Sequence, residues 1–233
     1  MPLSKNFNLL DDKREDRASS KRILIMCGCY GAGKTTIARR IQRAFYDNCV
    51  IIHRDVFRSL QSVKEKFFLY NHFSPDEEEV DKQLLDRTEE LLGTYQTIIL
   101  DATFRTYSKR QMVYKFAQQH NCEIIVIHCT CSYETAKQRL ERQIYRGEKT
   151  LYCQPDLLVE HFQKNFEEPI HESESAAATI IKVDTEQNTV TTTVQKDKSL
   201  NFVNKLLPIL RFLPHSQISE KNDWLEAPLY CQV

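Results

Sequence analysis

Apolar positions along the chain fall into two alternating patterns. Short continuous runs at Ile23 to Cys27, Cys49 to His53, Thr97 to Asp101, Cys122 to Cys129 and 178–183 read as buried strands. Between them, apolar residues recur at helical spacing. Ile37, Ala38, Ile41, Ala44 and Phe45 form one such face, and Val80, Leu84, Leu85, Thr88, Leu91 and Leu92 a second. Met112, Val113, Phe116 and Ala117 form a third, and Tyr133, Ala136, Leu140 and Ile144 a fourth. Pro155 opens a fifth helix to about Glu168, and Phe202, Val203, Leu206 and Leu207 mark the last, which Pro208 is expected to kink or end. Ser74, Pro75 and Glu77 make a strong helix start, and the acidic residues 76–79 read as a dipole and solubility feature. Ser108 with Gln111 is expected to cap the helix of Met112. Strand and helix thus alternate, which predicts an α/β fold with a mostly parallel five-stranded sheet, and Thr189 to Val194 extend the fifth strand as a hairpin. Residues 59–73, with Lys64, Lys66, Tyr70 and His72, serve either as a substrate-side flap or as packing, and packing suits Phe67 and Phe68.

Composition narrows the class. At 233 residues the chain suits one domain, expected over 22–213, with a flexible lead-in over 1–21 and a polar tail over 214–233. Lys plus Arg and Asp plus Glu both number 32, so the chain carries no net charge to coat long nucleic acid, although a local basic groove remains open to it. Eight cysteines without a C-x-x-C pair read as free thiols in a reducing cytosol rather than as disulfides or a zinc site. No stretch approaches the ~18 apolar residues of a membrane span, so a soluble cytoplasmic protein is expected.

The chemistry concentrates in four stretches. Gly28-Cys29-Tyr30-Gly31-Ala32-Gly33-Lys34-Thr35 is G-x-x-x-x-G-K-T between a strand and a helix, the Walker A pattern. Three of the chain's five glycines fall within the six residues Gly28 to Gly33, which argues against a chance turn. The backbone of Gly28 and of Tyr30 to Thr36 would cradle phosphates, Lys34 would reach the terminal one, and the Thr35 hydroxyl would ligate Mg²⁺. Asp55 follows directly on the carboxyl end of the second strand, where open α/β sheets bind ligands. It is the candidate general base for a hydroxyl attacking the γ-phosphate of ATP, with helix N-capping as its alternative role. Asp101 ends an apolar strand in the Walker B manner, to hold Mg²⁺ through water or to orient a substrate-side Arg, and Thr103 and Arg105 follow on the same loop facing substrate. On the helix from Tyr133 to Arg146, Arg139 reads as part of a solvated face. Arg142 and Arg146, near Gly147, read as part of a lid over about 139–154 that clamps the triphosphate.

These stretches, together with His53-Arg54-Asp55-Val56-Phe57-Arg58, Leu100-Asp101-Ala102-Thr103 and Arg142-Gln143-Ile144-Tyr145-Arg146-Gly147, resemble the kinase domain of phage polynucleotide 5′-hydroxyl kinase and its P-loop kinase relatives over about 22–185. The resemblance implies a three-layer P-loop kinase fold that uses ATP and Mg²⁺. It implies Lys34 and Thr35 on phosphates and metal, Asp55 as base, Arg58 on the acceptor and Asp101 in the site. It also implies Arg146 on the transferred phosphoryl group and Arg142 near the nucleotide. Val56 stands where the phage motif has a second acid. Zeta-toxin-like kinases share much of this plan and phosphorylate a sugar nucleotide. The acceptor is therefore expected to be a hydroxyl-bearing molecule such as a nucleic-acid or nucleotide 5′ end, with a sugar nucleotide as the alternative. A non-kinase ATPase, or a binding module without turnover, is the further alternative that Asp55 and Arg58 together weigh against. Oligomeric state has no signature in the sequence.

Overall fold

The computed structural model describes residues 20–62, 75–147, 154–169, 174, 177–193 and 197–211. The expected lead-in, the Ser74 cap, the aromatic stretch over 63–73, the loop residues 148–153 and the tail from 212 lie outside the described residues.

Six strands form one sheet: β1 (Arg22–Cys27), β2 (Cys49–His53), β3 (Thr97–Asp101), β4 (Glu123–Thr130), β5 (Thr179–Asp184) and β6 (Thr189–Thr193). Their spatial order is β2-β3-β1-β4-β5-β6. The first five are parallel, and β6 returns antiparallel on β5. The sheet therefore has one strand more than the five expected, because the hairpin after Asp184 pairs fully and adds an edge strand. β1 lies at the centre, paired on both sides, and all six of its residues are buried. The loop that follows it is thereby anchored in the least mobile part of the sheet.

Strand side chains alternate between two cores. Ile23, Ile25, Cys27, Ile98, Leu100 and Val126 face one layer, built on α3 (Pro75–Leu92) and α4 (Tyr107–Gln119). Leu24, Met26, Ile99, Ile125 and Ile127 face the other, built on α1 (Lys34–Ala44) and α7 (Asp197–Leu210). Leu24 and Ile25 are both fully buried, so truncating either to Ala is expected to cost roughly 2–5 kcal/mol. A third, small cluster joins α5 (Tyr133–Tyr145) to α6 (Pro155–Lys164) through Ala136, Leu140 and Val159, with Cys29 and Tyr30 packed against it. A short helix α2 (Arg54–Ser62) follows β2 without a break.

Two local expectations change. Thr106, not Ser108, caps α4, its side chain accepting from Lys109 N–H. The helix begins at Tyr107, two residues earlier than the Ser108 cap implied. Pro208 lies inside α7, which continues to Leu210. Buried Leu206 and Leu210 on either side of it hold the last turn against the sheet. The cysteines behave as free thiols among the described residues, and burial pushes Cys27, Cys49 and Cys129 up to about 12. Among the described residues no helix is long and apolar enough to cross a membrane.

Candidate active site

The loop from Gly28 to Gly33 is shaped as much by its neighbours as by any ligand. Gly28 has φ +132°, and a Cβ there would lie 2.1 Å from the Cys129 carbonyl oxygen of β4. At Gly31, φ is +76° and a Cβ would lie 2.4 Å from the Ala136 carbonyl oxygen of α5. Any side chain at either position would collide with main chain, so the motif's glycines are also fixed by packing. Gly33 is the N-cap of α1 and offers no side-chain cap, which leaves the first-turn N–H groups for an anion. Lys34 Nζ donates to Cys29 O at 2.6 Å and lies 5.8 Å from the centre of the Tyr30 ring. Thr35 Oγ1 donates to Asp101 Oδ2 at 2.7 Å. Ala32 is buried and Thr36 exposed. An uncapped helix start, a lysine and a hydroxyl–carboxylate pair are the donor set that Mg·ATP requires, so these residues fit both groups.

Parallel register places His53 beside Asp101 at the carboxyl edge of the sheet. Its Nδ1 lies 3.0 Å from Asp101 Oδ2, the oxygen that Thr35 also reaches. Burial would push the Asp101 carboxyl up, but hydrogen bonds from His53 and Thr35 and the nearby Lys34 charge outweigh it and hold the group below its usual range. Asp55 is the second residue of α2 rather than its N-cap, and its side chain is 81 % exposed. Arg58, one turn on, lies 3.8 Å from Asp55 and donates to Glu77 at 2.7 and 2.9 Å.

Glu77 changes the reading of the acidic start of α3. It is only 16 % exposed and also accepts from Arg54, while Asp81 takes Arg54 and Lys109. Glu77 is therefore the support of Arg58 rather than a solvated charge, because α2 packs against the first turns of α3. Burial pushes the Glu77 carboxyl up, yet the two arginines prevail and hold it below its usual range.

The loop after β3 is held from beneath. Thr103 O accepts from Gly28 N–H at 3.1 Å, which ties it to the loop after β1. Phe104 takes φ +40°, and its carbonyl accepts from Arg110 Nη1 at 2.9 Å. Arg110 is fully buried, paired with buried Glu174 at 2.6 Å, and Tyr114 donates to the same carboxylate. Arg105, next to Phe104, lies with Nη1 3.3 Å from His161 Nε2 on α6. Tyr30 joins the two halves of the site. Burial above all raises its phenol, and Arg58, Asp55 and Arg105 are the charges that act on it.

The family model AAA_33, described as an AAA domain, matches residues 23–169. The chain belongs to this P-loop family. Among solved structures, a candidate kinase from Chloroflexus aurantiacus is 15% identical, with a TM-score of 0.57 over 82% of this chain and 97% of that one. The PezAT toxin–antitoxin structure from Streptococcus pneumoniae is 20% identical, with a TM-score of 0.55 over 88% and 87%. A sugar kinase from Janibacter sp. HTCC2649 is 16% identical, with a TM-score of 0.50 over 81% and 95%. At such identities the likeness is one of fold, and the fold is that of P-loop kinases. No curated protein sequence is significantly similar to this chain.

Within this P-loop kinase fold, α5 departs from its expected division of labour. Arg139 does not lie on a solvated face: its guanidinium donates to Gly31 O and to both oxygens of Thr185. Its position, one turn behind Arg142, turns it inward under the loop. Arg142 and Arg146 are exposed at the far end of the helix, where Arg146 is the C-cap. Sequence reasoning missed His53, Glu77, Arg110, Glu174, His161 and Thr185. Only His53 carried a signal, as the first residue of the segment that ends in Arg58.

Proposed function

We propose that the chain is an ATP-dependent kinase that transfers the γ-phosphate of Mg·ATP to a hydroxyl of a nucleic-acid or nucleotide 5′ end, with Asp55 as general base. The observation that carries this reading is the position of Tyr30. Its ring centre lies 5.8 Å from the Lys34 ammonium, and its phenol is close enough to Arg58, Asp55 and Arg105 to be acted on by their charges. One side chain thus lies near both the proposed phosphate-binding lysine and the Asp55 carboxylate, which is 3.8 Å from Arg58. That is the separation of roles phosphoryl transfer needs.

In this reading Lys34 draws the γ-phosphoryl charge, and the main-chain N–H groups at the start of α1 hold the remaining phosphates. Asp55, exposed and beside Arg58, takes the proton of the incoming hydroxyl. Arg58 and Arg105 orient the acceptor, with Thr103 on the same loop. Thr35 and Asp101 would hold Mg²⁺, which would supply charge neutralisation at the phosphates. Arg142 and Arg146, exposed at the end of α5, approach the nucleotide and the transferred group. The domain over 22–213 carries the whole of this chemistry.

The test is transfer of labelled γ-phosphate from Mg·ATP to 5′-hydroxyl DNA and RNA oligonucleotides, nucleosides, tRNA and UDP-sugars, with Asp55→Asn alongside. Label on an oligonucleotide that the variant fails to add supports the proposal. Label confined to a UDP-sugar refutes the acceptor, and free phosphate without any labelled acceptor supports an ATPase instead.

A further inference from the structure

The loop between β1 and α1 is gripped from behind by two residues that lie far outside its motif. Arg139 on α5 donates through Nη1 to Gly31 O at 3.1 Å and to Thr185 Oγ1 at 2.8 Å, and through Nη2 to Thr185 O at 3.1 Å. Thr185, buried directly after β5, donates its own N–H to Thr130 O at 2.9 Å. Its hydroxyl lies 3.1 Å from Ala32 O and 3.2 Å from Thr130 O. Because that hydroxyl accepts from Arg139, its single proton is left for one of these two carbonyls.

The peptide unit is planar, so fixing a carbonyl fixes the next N–H in the opposite direction. The Gly31–Ala32 peptide is held at both ends, its carbonyl by Arg139 and its N–H by Cys29 O at 3.2 Å. The Ala32–Gly33 peptide has its carbonyl 3.1 Å from Thr185 Oγ1, the shorter of that hydroxyl's two carbonyl approaches, and with the proton there the Gly33 N–H is turned to the opposite side of the loop. Gly33 faces Thr185, and a Cβ added there would lie 3.4 Å from the Thr185 methyl carbon. Alternative peptide orientations, to which glycine is otherwise prone, are thereby removed before a ligand arrives.

We infer that Arg139 and Thr185 are positioning residues that pre-organise the main-chain N–H groups of this loop for the phosphates of a nucleotide. The inference rests on the nucleotide-binding reading of the loop. Neither residue touches the reacting atoms. Each acts on affinity for phosphate through main chain, so the effect belongs in nucleotide dissociation rather than in the transfer step.

The experiment is calorimetric titration of the full chain with Mg·ATP and with ADP, for the wild type, Arg139→Ala, Thr185→Val, Thr185→Ser and the Arg139→Ala/Thr185→Val double variant. Thermal unfolding without nucleotide accompanies each titration, which is run below the lowest midpoint. The expected result is a loss of about 10-fold or more in affinity for Arg139→Ala and for Thr185→Val, and near-wild-type binding for Thr185→Ser, which keeps the hydroxyl. The double variant should lose little beyond the worse single one, since the two residues act as a unit. If Arg139→Ala does not fold, Thr185→Val, which alters one buried hydroxyl, decides alone. Wild-type affinity in the folded single variants overturns the clamp. A wild-type chain that binds no nucleotide overturns the nucleotide reading and the clamp with it.

Discussion

The two sides of the site are built from different materials. Around the glycine loop, contacts run largely to main chain: Lys34 to Cys29 O, Arg139 to Gly31 O, Thr185 Oγ1 beside Ala32 O, and Gly28 against Cys129 O, with Thr35 to Asp101 and Arg139 to Thr185 Oγ1 as side-chain pairs. On the proposed acceptor side they run largely between polar side chains: Arg58 to Glu77, Arg54 to Asp81, and Arg105 to His161. Main-chain contacts are set by the fold and survive a change of the accepting residue, because the carbonyl is present whatever the side chain. Side-chain pairs can be exchanged one at a time. In the proposed reading the nucleotide side is therefore the constant part, and the acceptor side is where a new substrate can be selected.

Several changes would break or sharpen this contrast. Lys34→Ala should have the largest effect, a loss of transfer on the order of 1,000-fold or more, because it removes charge at the phosphoryl group itself. An isotope-transfer assay that finds appreciable activity would place the phosphate elsewhere. Asp55→Asn should lower turnover at least ~100-fold while ATP binding stays intact. Parallel loss of ATP affinity would show that the carboxylate serves the nucleotide side. Glu77→Gln should raise the KM for the acceptor about 10-fold and leave the KM for ATP alone, since it frees Arg58 but touches nothing on the loop. A shift in both constants would erase the division between the sides. The smallest effect on catalysis should come from His128, which belongs to neither side. Burial drives its imidazole down from 6.5 to about 4. A lowered folded value means the unfolded chain binds the proton first, so the stability it contributes is lost as pH falls from 6.5 towards 4, by roughly 3 kcal/mol. Denaturant unfolding across that range should show the loss in the wild type and a flatter profile in His128→Asn. An identical slope would assign the pH dependence to other groups.

Legibility followed the same division. The strands, the glycine loop and Asp101 were readable because each depends on neighbours in sequence: a run of apolar residues, a turn, a strand end. Thr35 and Asp101 do meet, at 2.7 Å, and Asp55 does follow directly on the sheet edge. Arg139 was misread because its partners, Gly31 and Thr185, are 108 and 46 residues away. On helical periodicity alone it is one more arginine opposite an apolar stripe. Glu77 was misread for a related reason. An acidic first turn satisfies the helix dipole by itself, so nothing in the local pattern asks for Arg54 and Arg58. Arg110 and Glu174, 64 residues apart, gave no sign of being a buried pair.

By itself the sequence determined the α/β class, the phosphate-binding loop, and the position of one carboxylate and one arginine beyond the second strand. Backbone preference and hydrophobic burial act over a few residues, and their record is local. Tertiary structure decided which charges are paired and which face the site. A charge becomes buried, supported or exposed only when distant elements close around it, as α5 and the β5–β6 turn close on the loop and α3 closes on Arg58.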